Sequence, residues 1–323
     1  RMVKAGCQYV VMEVSSQGLK MHRVDGIIFD YALFTNLSPD HIGPNEHESF
    51  EEYLYYKSQI FAMAKIGILN RDDSHFEEIK KHARCPVYEF SLEKPCDFFA
   101  SNIRCVADGS FVGVEFDIQG KYEADVKVGV PGRFNVYNAL GAFAVTSFLD
   151  LPKETVEQAL KHLRVNGRME LVYSSPKFSV IVDYAHNAVS MESLLKTLRE
   201  YHPKRLICVF GCGGNRSKDR RYAMGEMGGK MADLCILTAD NSRFEKTEDI
   251  IADIKSALIP TGGKFLEIPD RKEAITYAVT HAEEGDMIAV IGKGHEDYQE
   301  ENGVRRPFLD RAVIEEVTGL CRS

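Results

Sequence analysis

Residues 178–210 read FSVIVDYAHNAVSMESLLKTLREYHPKRLICVF. An apolar run at 178–182 closes in Asp183, a helical pattern covers 189–201, and a second apolar run fills 206–210. Short continuous apolar runs bounded by polar residues are the mark of strands buried on both faces. Strand, helix and strand make one βαβ unit, and the alternation continues downstream. Further strands are expected at 234–238, 265–268 and 287–291, with helices at 221–231, 247–258 and 272–282. The C-terminal part is therefore expected to be a Rossmann-like α/β domain, a parallel sheet covered by helices on both faces. Ligands of such sheets meet the carboxyl ends of the strands.

The opposite end of the chain carries a second cluster of chemistry. Residues 10–61 hold two apolar runs, 10–14 and 27–37, each expected to be a strand that ends in polar residues. Glu13, Ser15, Ser16, His22 and Arg23 accompany the first, and Asn36, Asp40 and His41 follow the second. Ser49 with Glu52 three residues on reads as a capping box, so a helix follows with Phe50, Leu54 and Phe61 at helical spacing and Lys57 among them. A carboxylate, a histidine, an amide and a lysine at strand ends suit divalent-metal and phosphate chemistry. Taken singly, each is more readily a structural residue than a functional one.

Between these parts, residues 67–70 read as another strand that ends in Arg71-Asp72-Asp73, where a solvated turn and a ligand role are both open. Residues 87–130 change to short alternating segments such as 111–116, the pattern of antiparallel strands at a sheet edge. Pro131-Gly132 then turns into a helix at 135–148, its buried face expected at Ala139, Leu140, Ala142 and Phe143. A second helix at 153–163 leads to a boundary near Met169, giving domains 1–168 and 169–323.

Composition narrows the function. The 323 residues suit two domains, and 44% hydrophobic with 27% charged residues is an ordinary globular balance. A net charge of −8 argues against nucleic acid as a partner. No run is apolar for the length of a bilayer, which argues against a membrane one. The eight cysteines show no CxxC spacing and read as reduced core residues of a cytosolic protein. Gly211-Cys212-Gly213-Gly214 is not a dinucleotide fingerprint, because Arg216 stands where the third glycine belongs, so no hydride-transfer cofactor is implied.

Eight segments, in order, carry a resemblance: MEVSSQGLKMHRVDGIIFD at 12–30, FTNLSPDH at 34–41, YYKSQIF at 55–61, GRFNVYNALGA at 132–142, GRMELV at 167–172, VDYAHN at 182–187, GCGGNR at 211–216 and IGKGHEDYQ at 291–299. Together they resemble the Mur ligases, most closely the UDP-N-acetylmuramoyl-tripeptide synthetases of the MurE family. The resemblance implies a partial central ATPase domain followed by the Rossmann-like domain. Residues 1–6 read as the tail of a helix, and no GxxxxGK[ST] loop occurs, whereas the family carries one upstream; the sequence is expected to be part of a longer chain.

The resemblance also implies roles. Glu13 and His41 would ligate Mg²⁺ in the ATP site, and Lys57 matches the family's carbamylated lysine. A buried lysine is partly a neutral amine that can add CO₂ and offer carbamate oxygens to a metal, although a lysine snorkelling from an amphipathic helix looks the same in sequence. Ser15 and Arg23 match positions that hold the UDP-linked muramoyl dipeptide, with Met21 where a close relative has glutamine. Asn138 matches an adenine contact and Arg168 an arginine directed at the ATP phosphates. Asp183, His186, Asn215 and Arg216 would face ATP, with Asn215 where the family often has aspartate. The amino-acid pocket would comprise Arg221, Asp240, Asn241, Arg243, Gly292 and Glu296. Arg243 would clamp the distal carboxylate of meso-diaminopimelate, which lysine lacks, and Glu296 would take its distal ammonium. Ser242 replaces the proline of the family's DNPR motif, which frees the turn's φ.

The activity so implied is an ATP-dependent ligase that adds meso-diaminopimelate to UDP-MurNAc-L-Ala-D-Glu through an acyl phosphate, in cytoplasmic peptidoglycan precursor synthesis. Its partners would be small molecules and its state monomeric, and closure of the C-terminal domain would exclude water from the acyl phosphate. Without the phosphate loop this stretch alone is expected to be inactive. A non-catalytic ligand-binding paralogue and a folylpolyglutamate synthase remain the other readings; HRVDG and the DNSR and GKGHE pair speak against the latter.

Overall fold

The computed structural model describes residues 1–38, 42–43, 46–109 and 111–319. The chain divides into two compact units. One comprises Arg1–Ser101, Asp117–Asp125 and Val136–Val156, and the other Asn102–Phe116, Val126–Asn135 and Glu157–Ser323. Among the described residues no helix is long and apolar enough to cross a membrane.

In chain order the first half holds α1 (Ser16–Lys20), β1 (Phe29–Phe34), α2 (Phe50–Ser58), β2 (Ala64–Asn70), α3 (Phe76–Lys81), β3 (Val87–Ser91), β4 (Phe98–Ala107), β5 (Val112–Gly120), β6 (Ala124–Val128), α4 (Phe134–Thr146) and α5 (Lys153–Lys161). The six strands follow one another in a single sheet, β1-β2-β3-β4-β5-β6. α2 begins where the sequence places it, with Ser49 Oγ accepting from Glu52 N at 3.2 Å. The box is only half closed, because the Glu52 carboxylate accepts from Glu48 N instead. Tyr53, Leu54 and Phe61 bury against Ala32, Phe34, Leu69, Phe76 and Ile79, each large side chain contributing about 1.5–3 kcal/mol of transfer free energy.

Three expectations for this half are corrected. Residues 10–14 form no strand: no neighbouring strand among the described residues supplies a ladder, and Val11 is fully exposed. β3 is not part of an antiparallel edge, since it pairs parallel with β2 and with the start of β4. The connections from β4 to β5 and from β5 to β6 are of hairpin length. Ala142 is exposed on α4, whose buried side is Val136, Ala139, Leu140, Gly141, Phe143 and Ala144.

The second half holds β7 (Glu170–Ser174), β8 (Phe178–Asp183), α6 (Ala188–Arg199), β9 (Arg205–Phe210), α7 (Lys218–Met231), β10 (Leu234–Leu237), α8 (Thr247–Leu258), β11 (Phe265–Glu267), α9 (Arg271–Thr280), β12 (Asp286–Ile291), β13 (Tyr298–Glu301), β14 (Val304–Pro307) and α10 (Asp310–Thr318). Every strand and helix expected here from apolar alternation is present. The sheet order is β11-β10-β9-β12-β8-β7, parallel except for β7 on the edge. β12 returns between β8 and β9, which puts a topological switch point at the sheet's centre.

Right-handed crossovers place α6, α7 and α8 on one face and α9 on the other. Their packing agrees, α6 and α8 against α7, and α9 against α10. Val180, Val182, Val209, Ile236, Ile288 and Val290 form the core under α9 and α10 with Ile275 and Ile314. The β13–β14 hairpin and α10 have no apolar signature of comparable strength, the hairpin strands being charged and largely exposed. The seven described cysteines are free, and burial pushes the Cys212 and Cys235 thiols up to about 12.

Candidate functional site

In the first unit the expected metal and dipeptide residues gather around α1 and α2. Ser15 caps α1, its Oγ accepting from Gly18 N at 3.0 Å. Ser16 Oγ lies 2.8 Å from Nε2 of His47, a fully buried ring that the sequence reading did not single out. Lys20 pairs with Glu52 at 2.9 Å, and that hydrogen bond, with one from Glu48 N, holds the Glu52 carboxyl below its ordinary value. Lys57 is half-buried on α2; burial pushes its ammonium down, while the charge of Glu13 pulls the other way.

Glu13 is therefore in the electrostatic field of a lysine whose charged form is disfavoured. In kind, the carboxylate suits a hard divalent cation, and the lysine would do so only as a carbamate that supplies oxygens. His41 lies outside the described residues, and among the described ones no cluster of three potential ligands forms. Arg23 is exposed, its Nη2 3.0 Å from Met21 Sδ, so the thioether at the glutamine position lies on the arginine. Asn138 is exposed on α4. Asp72 accepts from Ser91 Oγ, Leu92 N and Tyr137 Oη, and Asp73 from Leu37 N and His75 N, so both serve the local loops.

In the second unit four motifs meet at the carboxyl ends of β8, β9, β10 and β12. Asp183, ending β8, accepts from Met169 N at 2.8 Å and from Ala185 N at 2.7 Å. Burial pushes its carboxyl up, while these bonds and Arg168 oppose the shift. Gly167 adopts φ +66°, and its Cα packs directly on His295, so the turn bearing exposed Arg168 rests on the GKGHE turn. His186 is exposed, with Nδ1 3.0 Å from Tyr184 O.

After β9, Gly211 and Gly214 lie against the backbone after β10, where any side chain at Gly214 would run into Ser242 O. Asn215 is exposed at φ +53°; its Oδ1 accepts from Phe244 N, and its own N donates to Glu245. Arg216 is exposed beside it.

The residues expected to form the amino-acid pocket separate into two kinds. Arg221 is 1% exposed and engaged by Asp253 at 2.9 Å and Glu245 at 2.8 Å, so its guanidinium is committed to holding α7, α8 and the preceding loop. Arg243 is half-buried at φ +52°, with Nη1 donating to Gly214 O at 2.6 Å. Among the described residues no carboxylate pairs with it.

Opposite, Asn241 donates Nδ2 to Glu296 Oε2 at 2.9 Å and accepts from Lys293 Nζ at 3.1 Å and Glu300 N at 2.9 Å. Tyr184 Oη reaches Glu296 Oε1 at 3.4 Å. Gly292, at φ +110°, leaves room for the Asp240 carboxylate, which a Cβ would approach to 2.7 Å. Lys293 and Tyr184 were not singled out from sequence, although both lie inside the GKGHE and VDYAHN segments.

Two family models match: the Mur ligase middle domain over residues 1–146 and the Mur ligase glutamate ligase domain over residues 167–294. The chain belongs to the Mur ligase family. A curated UDP-N-acetylmuramoyl-L-alanyl-D-glutamate–2,6-diaminopimelate ligase of Caldanaerobacter subterraneus is 42% identical over 319 residues, 98% of this chain and 65% of that protein. The ligase of the same description from Aquifex aeolicus is 39% identical over 97% of this chain and 64% of its own length.

A solved structure of a UDP-N-acetylmuramoyl-L-alanyl-D-glutamate–2,6-diaminopimelate ligase superposes with a TM-score of 0.80 at 30% identity, covering 99% of this chain and 66% of that one. The UDP-N-acetylmuramate-alanine ligase of Thermotoga maritima shares the fold at 19% identity, with a TM-score of 0.59. The Mur ligase chain thus spans just under two thirds of the length of the curated relatives it matches.

Proposed function

We propose that this chain supplies the middle and C-terminal domains, 1–168 and 169–323, of an ATP-dependent ligase that joins meso-diaminopimelate to UDP-MurNAc-L-Ala-D-Glu. The observation that carries the reading is the presence of unlike groups on the turns that follow β10 and β12. The Arg243 guanidinium has no carboxylate partner among the described residues, and the Glu296 carboxylate is held in place by Asn241, Lys293 and Tyr184. A diamino acid with a distal carboxylate and a distal ammonium complements such a pair, and lysine leaves the guanidinium unanswered. The diaminopimelate ligases at 42% and 39% identity support the same choice.

In this reading the D-Glu side-chain carboxylate attacks the γ-phosphorus of ATP and ADP leaves. The amine of diaminopimelate then attacks the acyl carbon, phosphate leaves, and the nitrogen loses a proton. Ser15 and Arg23 orient the muramoyl dipeptide. Asn138 contacts adenine, and Arg168, Asp183, His186, Asn215 and Arg216 address the rest of ATP, with Arg168 on the phosphates. Asp240, Asn241 and Gly292 shape the diaminopimelate pocket, and Arg221 supports it from behind. Glu13, His41 and a carbamate on Lys57 would hold Mg²⁺, which when bound neutralises phosphate charge. We place the protein in the cytoplasm as a monomer, beside the small-molecule pool it draws on.

The test is phosphate release by the intact polypeptide with ATP, Mg²⁺ and UDP-MurNAc-L-Ala-D-Glu, comparing meso-diaminopimelate with L-lysine. Release that depends on diaminopimelate and is lost in Arg243→Ala is expected. No release with either amine sinks the ligase reading, and a preference for lysine sinks the assignment of Arg243.

A further inference from the structure

The two turns that carry the pocket leave from strands that are not neighbours. β10 and β12 each pair with β9, which lies between them, so no backbone ladder fixes the distance from Asp240 to Gly292. Asn241 ties the turns themselves together through Glu296 and Lys293, and behind them one side chain bridges the ends of both strands. Arg271, the first residue of α9, donates Nη1 to Ala239 O at 3.1 Å and Nη2 to Ile291 O at 3.0 Å. These are the last carbonyls before Asp240-Asn241 and Gly292-Lys293.

Behind it, Asp310 at the start of α10 grips the same fork, Nε to Oδ1 at 2.7 Å and Nη2 to Oδ2 at 2.8 Å. Both side chains are fully buried. Burial alone would push the guanidinium down, but the charge and hydrogen bonds of Asp310, with the charges of Asp240 and Glu296, hold it above its ordinary value. The arginine thus also offsets the two pocket carboxylates. A planar fork serves two carbonyls and a carboxylate at once, which an ammonium on a flexible stem does not.

We infer that Arg271, anchored by Asp310, is a positioning residue of the amino-acid pocket, setting the spacing between the strand ends from which the DNSR and GKGHE turns leave. On that spacing depends the simultaneous reach of Arg243 and Glu296 to the two ends of one diamino acid. The inference rests on the pocket reading proposed above.

Removing one partner alone strands a buried charge, so the informative variant is the double replacement Arg271→Met with Asp310→Leu, which removes the ion pair as a unit. In the intact polypeptide it is expected to melt lower, because the Ala239 and Ile291 carbonyls lose their donor, yet to fold and to raise KM for diaminopimelate by about tenfold to a hundredfold, since misplacement by an ångström costs of that order. KM for ATP is expected to stay near wild type, and Arg271→Lys to fall between the two. An unchanged KM for diaminopimelate in the folded double variant overturns the inference. If the double variant does not fold, Arg271→Lys decides by the same KM readout.

Failure of the pocket reading is separately visible as absence of amine-dependent release in the wild type. In that event amide hydrogen exchange carries the test without turnover. Residues 240–243 and 292–296 are expected to exchange faster in the variant, with α6 unchanged, and equal protection overturns the inference.

Discussion

Asn241 Nδ2 donates to Glu296 Oε2 at 2.9 Å, tying the turn after β10 to the turn after β12 across the end of β9. Lys293, fully buried, closes the triangle at 3.1 Å from Asn241 Oδ1 and 3.3 Å from Glu296, with its Nζ 5.3 Å from the Tyr298 ring centroid. A buried ammonium is tolerated only where partners replace its water, and here an amide, a carboxylate and a ring face do so.

Lys293→Met should therefore destabilise the protein although methionine fills much of the same volume. It leaves Glu296, whose side chain is 22% exposed, facing Asn241 and Tyr184 alone. The expected loss is about 2–3 kcal/mol, below the 3–5 of a fully buried broken pair because water still reaches the carboxylate. Urea unfolding measures it; a loss under about 0.5 kcal/mol, typical of surface changes, would show that the triangle is not a structural unit.

Arg243 and Arg221 should give opposite phenotypes. Arg243→Ala loses one bond to Gly214 O, costing about 1 kcal/mol of stability, but removes the guanidinium that the proposed function offers to the substrate. Losing a charged hydrogen-bond pair of about 2 kcal/mol raises KM for diaminopimelate roughly thirtyfold. Arg221→Ala leaves Glu245 and Asp253 without their shared cation and should cost about 2 kcal/mol with little change in KM. Paired denaturation and kinetics on both variants decide; matching phenotypes would contradict the division of roles.

The contrast between these arginines also shows where the sequence is readable. Strands and helices from β8 to β12 are legible because both faces of the sheet are covered and each strand is an apolar run. The run at 10–14 looks the same on paper, yet among the described residues no neighbour pairs with it and Val11 stays in solvent. Motif positions are legible as residue types, and their use is not. Arg221 belongs to Asp253 on α8, and Arg271 to Asp310 thirty-nine residues away, both pairings set by helix packing. α10 itself carries too short an apolar pattern to announce the anchor it supplies. His41 lies outside the described residues, which leaves Glu13 and Lys57 as the described members of the expected metal set.

Ser242 stands where the family motif has proline, and the exchange costs no backbone hydrogen bond among the described residues. Among the described residues the Ser242 amide donates no hydrogen bond, while its carbonyl accepts from Glu245 N at 3.0 Å. Proline removes no bond there and narrows the unfolded ensemble. Ser242→Pro should raise stability by about 0.5–1 kcal/mol in thermal unfolding, and a destabilised variant would show that the local φ is not proline-like.

Gly167 holds the Arg168 turn against the GKGHE turn at φ +66°, with its Cα too close to the His295 backbone for any side chain. Gly167→Ala meets both the left-handed backbone penalty and that contact. A loss on the order of 2–4 kcal/mol is expected, beyond the usual cost of strain alone. Denaturant titration reads it, and a variant as stable as wild type would mean that the two turns separate freely.

Lys57 gives a prediction with a definite pH sign. In the unfolded chain it titrates at its ordinary 10.5, while burial lowers the native value and Glu13 only partly restores it. Between the lowered value and 10.5 the unfolded state binds more protons, so this residue's contribution makes stability rise with pH across that window. Below the window both states are protonated and the native state carries the full cost of burying the ammonium. Lys57→Met removes that cost, so the variant should exceed wild type in urea midpoint near neutral pH, with the difference shrinking as pH approaches 10.5. A difference that does not change with pH would show that the ammonium is not buried at a cost. The same depressed value leaves a larger share of neutral amine than an exposed lysine has at a given pH, and only that form adds CO₂. Labelled bicarbonate should then give a carbamate carbon signal in the wild type that is absent from Lys57→Met. Equal signals from the two proteins would place the reactive amine elsewhere.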